Sequence, residues 1–195
     1  MQSISMIFAI PVGIVTLVGV WAMAVHNGLR HLHNQIRGAW AHVDVQLRRR
    51  YELLANIVEI VKRSASGNIS NVINTVLEEV CQARLRALRA TDIAERAQAD
   101  RDVSAAMGRL MTVVEDYPEL KANQEFLVLQ ETLVSTTQQV GSAREHYNAQ
   151  VLAYNTRLQS LPVQPLATIF AFEEEALFEM QDPQIRLAPQ VQHAA

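Results

Sequence analysis

With 195 residues and a net charge of −3, the chain has room for one domain with its own core, and it lacks the basic field that nucleic-acid binding needs. Only 7 Gly and 6 Pro interrupt it, so long helices are expected. The single cysteine, Cys81, excludes an internal disulfide.

No Asp, Glu, Lys or Arg precedes Arg30, and Ile4 to Val25 is a 22-residue run of apolar or small side chains. As a helix it would be about 33 Å long, close to the ~30 Å hydrocarbon core of a bilayer. Trp21 stands near its end, where an amphipathic ring favours the interface. The triplet Ala22-Met23-Ala24 suits a signal-peptide cleavage site, but "MQS" carries no Lys or Arg and the run exceeds an ordinary signal core. An uncleaved anchor over 1–26 is the better reading. Arg30 and Arg37 on its C-terminal side then place the following domain in the cytoplasm, the anchor being a single pass of a bacterial inner membrane.

Beyond the anchor, Leu29, Leu32, Ile36, Trp40, Val43, Leu47, Leu54, Ile57 and Val61 fall at helical steps of three, four and seven. There is no Pro between Val12 and Tyr117, so a first helix is predicted to run from the bilayer to about residue 65, with Gly67 of "SASGN" closing it. A second helix is predicted over 69–89, and a third, capped by Thr91 or Asp92, to about 116. "YPELK" reads as a turn whose Pro118 opens the next helix. That fourth helix, over 120–161, carries Phe126, Leu129, Leu133, Thr136, Val140, Ala143, Tyr147, Gln150, Tyr154, Leu158 and Leu161 at alternating steps. Pro162 and Pro165 end it.

Length decides the pairing. The soluble part of the first helix and the whole fourth helix are each about 60 Å long, while the two between are about half that. The expected fold is therefore all-α: a transmembrane helix continuing into an elongated antiparallel bundle over 27–161, with a shorter hairpin of helices two and three at the membrane-distal end. Tyr147 is placed beside Trp40, and Tyr154 beside Asn34 and Arg37. The candidate seam and interaction residues are Trp40, Val43, Gln46, Leu47, Tyr147, Asn148, Val151, Tyr154 and Asn155. The repeated Tyr-Asn pair is a packing device, and Asn148 and Asn155 are expected to bond across to the first helix or to a neighbouring subunit. One side of the two-helix stalk, near 29–43 and 147–161, is expected to stay uncovered and to self-associate or take a partner helix.

Residues 162–180 form an apolar and acidic membrane-proximal segment. Leu166, Ile169, Phe170 and Phe172 either dip into the interface or cap the base of the bundle. Residues 181–195 read as a disordered tail.

No phosphate-binding glycine loop and no nucleophile–base spacing is present, so no catalytic residue is assigned. His42 and His146 flank the seam at equal height, but two histidines lack the further ligands of a metal site, and no metal or other cofactor is expected. "RRR" at 48–50 fans over about 200° of a helix and reads as a solvated face paired with Asp44 and Glu52.

Three ordered stretches, "GAWAHVDVQLRRRYELLANIVEIVK", "LMTVVEDYPELKANQEFLVLQETL" and "AREHYNAQVLAYNTRLQSLP", together with "IFAFEEEALFE", resemble the LemA family over nearly the whole chain. The resemblance implies a single-pass bacterial membrane protein with a helical bundle and no established enzymatic activity. It carries over Trp40, Asp44, Val45, Gln46, Leu47, Arg49, Asn56, Val58, Tyr117, Pro118, Leu120, Lys121, Phe126, Ala143, Arg144, Tyr147, Asn148, Tyr154 and Asn155. It also implies association, in one branch, with building intracellular membrane organelles in magnetotactic bacteria, and in others with membrane proteases or small envelope proteins. Ala55 stands where the family has proline, which restores a backbone donor and straightens the first helix. The reading that follows is a membrane-anchored, non-catalytic scaffold or adaptor. Its expected partners are the bilayer and either further copies of itself or another membrane protein, with no nucleic acid.

Overall fold

The computed structural model describes residues 2–64 and 71–178, with side chains from residue 13 onward. Over these residues the chain is all α-helical: α1 (Gln2–Ser64), α2 (Asn71–Arg89), α3 (Ile93–Val114), the single turn α4 (Pro118–Lys121), α5 (Gln124–Gln159) and the short α6 (Val163–Ile169). The predicted stop at Gly67 and the tail at 181–195 lie outside the described residues.

α1 runs unbroken because nothing after Pro11 removes a backbone donor from its ladder. Among the described residues no helix is long and apolar enough to cross a membrane. For residues 4–12 of the predicted anchor only the backbone is described. Trp21 lies in an apolar collar with Ile14, Val15, Leu17, Val18, Val20 and Met23, all exposed or nearly so.

α1 pairs antiparallel with α5, and α2 with α3 at the end remote from the N-terminus. The seam buries Leu29, Ile36, Val43, Leu47, Leu54, Ile57 and Val61 of α1 against Phe126, Leu133, Val140, Tyr147, Val151, Tyr154 and Leu158 of α5. Each such side chain contributes roughly 1.5–3 kcal/mol relative to exposure. Rings meet at the heights that antiparallel pairing dictates: Trp40 and Tyr147 have centroids 5.4 Å apart, and His33 and Tyr154 5.8 Å.

Four details differ from the sequence reading. "YPELK" holds the one-turn helix α4, which buries Leu120, and α5 begins only at Gln124. The reason is Asn123, whose Oδ1 accepts from the backbone N–H of Glu125 at 2.9 Å and of Phe126 at 3.2 Å, a new N-cap. Within α5 it is Val151, fully buried, that lies between Tyr147 and Tyr154, while Gln150 is only half-buried at the edge of the stripe. The fourth helix does end before Pro162, at Gln159, but a short helix that was not expected follows it: Pro162 caps α6 and Pro165 falls in its first turn, where no donor is needed. Finally, "RRR" is not uniformly solvated: Arg48 is exposed and bonded to Asp44 at 2.8 Å, but Arg50 is buried.

α6 lies across the base of the stalk, with Val163 and Ala167 buried. Leu166 and Phe172 pack against the core, whereas Ile169 and Phe170 stay exposed. Phe170 and Phe172 sit against His26, at 4.8 and 5.4 Å between ring centroids. These residues thus cap the bundle and also leave an apolar rim at the height where the N-terminal apolar run ends.

Candidate functional site: the stalk and its C-terminal strap

After α6, Ala171 adopts φ 52°, a left-handed conformation that turns the chain back up the stalk. Residues 172–178 then run without helix or sheet along α5. This strap covers the side of the seam expected to stay open, and Phe178 at its end is almost completely buried.

The Tyr-Asn repeat holds the strap. The Asn155 side chain donates from Nδ2 to the Glu175 carbonyl at 2.9 Å and accepts at Oδ1 from the Glu175 N–H at 3.0 Å. Asn148 does the same to Phe178, at 3.0 and 2.8 Å. The Tyr147 hydroxyl donates to the Ala176 carbonyl at 2.8 Å. Asn148 and Asn155 therefore do not bond to α1, one of the two partners expected for them, the other being a neighbouring subunit. They complete the backbone of the chain's own C-terminal segment.

The spacing follows from geometry. Seven residues of α-helix rise about 10.5 Å, and three residues of extended chain span about 10 Å. A heptad step from Asn148 to Asn155 therefore matches a three-residue step from Phe178 to Glu175. Asn suits the task because its amide offers one N–H donor face and one carbonyl on a short arm, the same pair that a neighbouring strand would present.

At the upper end of the strap Phe178 enters an aromatic and cationic nest. Trp40 lies 6.0 Å from it, and the Arg144 guanidinium stands 4.7 Å from its ring centroid. Arg96 stands 5.5 Å from the Trp40 ring centroid and is paired with Asp44. Arg144 in turn bonds to Asp100, which is 1% exposed. Asp100 also accepts two hydrogen bonds from Arg50, at 3.0 and 3.1 Å, and one from the Tyr51 hydroxyl at 3.2 Å. Arg50 further donates to the Ser104 hydroxyl at 2.9 Å. A buried Arg–Asp–Arg cluster thus joins α1, α3 and α5 directly beneath the tip of the strap.

Of the nine predicted seam residues, Trp40, Tyr147 and Asn148 meet at the tip, and Tyr154 and Asn155 lie at the middle of the strap. Val43, Leu47 and Val151 are buried in the seam. Gln46 is half-buried, and its Oε1 finds no hydrogen-bond partner among the described residues. Sequence reasoning missed Arg50, Arg96, Asp100 and the strap itself.

Three tyrosines are held protonated beyond their ordinary range. Burial, then the Asp100 charge, raises Tyr51. Burial, then Glu175, pushes Tyr147 up to about 12 and raises Tyr154. An unfolded phenol titrates near 10, so from about pH 10 upward the unfolded chain sheds protons that the folded chain keeps. Stability contributed by these groups is complete below about pH 10 and is lost as the pH climbs toward 12. Urea midpoints are expected to be level up to pH 9 and to fall steeply by pH 11, with a shallower fall in Tyr147→Phe. A flat profile to pH 11 contradicts the assignment.

A family model described as the LemA family matches residues 39–193, most of the chain. The chain belongs to the LemA family. Its matched region includes the seam from Val43 onward, the Tyr-Asn repeat and the strap. Among curated proteins it is similar to magnetosome proteins MamQ 1 and MamQ 2 of Paramagnetospirillum magneticum, each 33% identical over 81 residues, or 42% of this chain and 30% of the relative. It is also similar to magnetosome protein MamQ of Magnetospirillum gryphiswaldense, 24% identical over 174 residues, or 78% of this chain and 64% of the relative. The chain thus spans less than two thirds of the length of each of these relatives.

Proposed function

We propose that this LemA-family chain is a single-pass, membrane-anchored and non-catalytic scaffold or adaptor that works through protein–protein contacts, with its bundle on the cytoplasmic face of a bacterial inner membrane. The observation that carries the anchor is the apolar collar of α1. Ile14, Val15, Leu17, Val18, Val20 and Met23 face every direction around one helix with nothing packed on them. In water such a surface is unfavourable, whereas lipid covers it without cost. The same helix continues unbroken into the stalk, which couples the bilayer rigidly to the seam and strap.

The adaptor role is supported by the site itself, which consists of aromatic, amide and cationic groups arranged to hold an extended chain. These groups suit recognition of a polypeptide rather than bond-breaking chemistry. A second reading, membrane remodelling, draws support from the magnetosome names of the relatives. Crosslinking mass spectrometry on the protein in native membranes tests both. Links between two copies, with no other protein captured, favour the self-assembling scaffold that remodelling requires. Reproducible links to a membrane protease or another envelope protein favour the adaptor. Protein recovered in the soluble fraction after cell lysis overturns the anchor on which both rest.

A further inference from the structure

At the base of the stalk, between α1 and the start of the strap, lies a cavity of about 420 Å³. Arg30, His33, Asn34 and Arg37 of α1 form one wall. Tyr154, Phe172, Glu173 and Glu175 form the other. Neither Arg30 nor Arg37 pairs with a carboxylate among the described residues, and Glu173 likewise has no cation. Among the described residues the Glu175 carboxylate pairs only with the His33 ring, at 3.4 Å. The cavity therefore holds two unpaired guanidiniums opposite two carboxylates, one of them uncommitted. A simple anion would be drawn to the arginines but repelled by the glutamates. A ligand with a phosphate at one end and an ammonium at the other satisfies both walls.

Position identifies the source. Arg30 is five helical residues beyond Val25, about 7.5 Å above the end of the apolar run, and the headgroup layer is roughly 5–8 Å deep. Arg37 is higher, but helical side chains lean toward the N-terminus, here toward the bilayer. The exposed rim of Ile169 and Phe170 borders the same base. We propose that this cavity binds the zwitterionic phosphodiester–ammonium headgroup of an aminophospholipid, drawn from the leaflet next to the stalk. The proposal rests on the anchored reading above.

The test uses the full chain in nanodiscs of equal phosphatidylethanolamine and phosphatidylglycerol, with retained lipid read by native mass spectrometry as it is stripped. Phosphatidylethanolamine is expected in excess by about tenfold, the ratio that one charge-assisted hydrogen bond supplies. Arg30→Gln with Arg37→Gln loosens the grip on the phosphate that both lipids share and cuts retention of both by about tenfold or more. Glu173→Gln with Glu175→Gln turns the excess toward phosphatidylglycerol. All four side chains lie at the surface or half-buried, so the fold survives these changes, and circular dichroism checks that it does. Equal retention of both lipids, by a chain that still floats with vesicles, overturns the cavity proposal and leaves the anchor standing. Failure to float overturns the anchor and, with it, the lipid proposal. Soluble glycerophosphoethanolamine bound as tightly as the lipid assigns the cavity to a free phosphodiester and overturns the lipid as its source.

Discussion

Asp100→Ala is expected to destabilise the bundle by about 3–5 kcal/mol, the cost of breaking a buried ion pair from one side. The carboxylate is 1% exposed and is shared by Arg50, Arg144 and Tyr51. Removing it leaves Arg50 buried with no countercharge and Arg144 held beneath Phe178. Nearby carboxylates cannot compensate, because Asp44 already pairs with Arg48 and Arg96. For a chain of this size the thermal midpoint should fall by roughly 6–20 °C. The triple change Arg50→Met, Asp100→Leu, Arg144→Met removes all three charges together and is expected to recover most of that loss, since apolar replacement of a whole buried cluster is often neutral. Thermal melts of the two variants decide it. If Asp100→Ala melts with the wild type, the cluster is not a stabilising junction. If the triple variant is no better than Asp100→Ala, the deficit comes from lost packing rather than from orphaned charge.

The helical frame was legible because it is written in hydropathy. Steps of three and four from Leu29 to Val61 and from Phe126 to Leu158 mark two faces, and their lengths alone pair α1 with α5. The buried cluster is legible in the core positions of two helices. Val43, Leu47, Arg50, Leu54, Ile57 and Val61 continue one stripe at steps of four and three, so Arg50 occupies a core position. Arg96, Asp100, Val103, Met107, Leu110 and Val114 do the same on α3, which sets an acid in a second core stripe. Opposite charges at core positions of two packed helices imply a buried pair. Reading the three arginines as a block hid that, since adjacent residues on a helix face different ways. The strap's hydropathy signal is confined to Phe172 and Phe178, which pack into the bundle, because amide side chains hold the rest by its backbone and a backbone has no sequence. Its other trace is the recurrence of Asn at a seven-residue step, which packing alone does not require.

Replacing both Asn148 and Asn155 by Ala is expected to release the strap while leaving the bundle folded. The two side chains make four hydrogen bonds to Glu175 and Phe178. At about 1 kcal/mol net for each, their loss weakens docking by about 4 kcal/mol, equivalent to a several-hundredfold larger equilibrium constant for opening. The backbone groups set free reach water, so the global urea midpoint should move far less than that figure suggests. Hydrogen exchange isolates the effect, because the Glu175 and Phe178 amides donate to the two asparagines and are the ones that lose protection. Gln139→Ala, which removes an amide from an exposed position of the same helix, should leave both untouched. Unchanged exchange at 175 and 178 in the double variant would mean that Phe178, seated between Trp40 and Arg144, holds the strap unaided. Fast exchange at both, with α5 still protected, would make the Tyr-Asn repeat a clasp for an extended chain. The groove then laid open would offer Trp40, Tyr147 and Arg144 to any segment with an aromatic residue in the place of Phe178, and a synthetic peptide spanning 171–180 should bind it in trans.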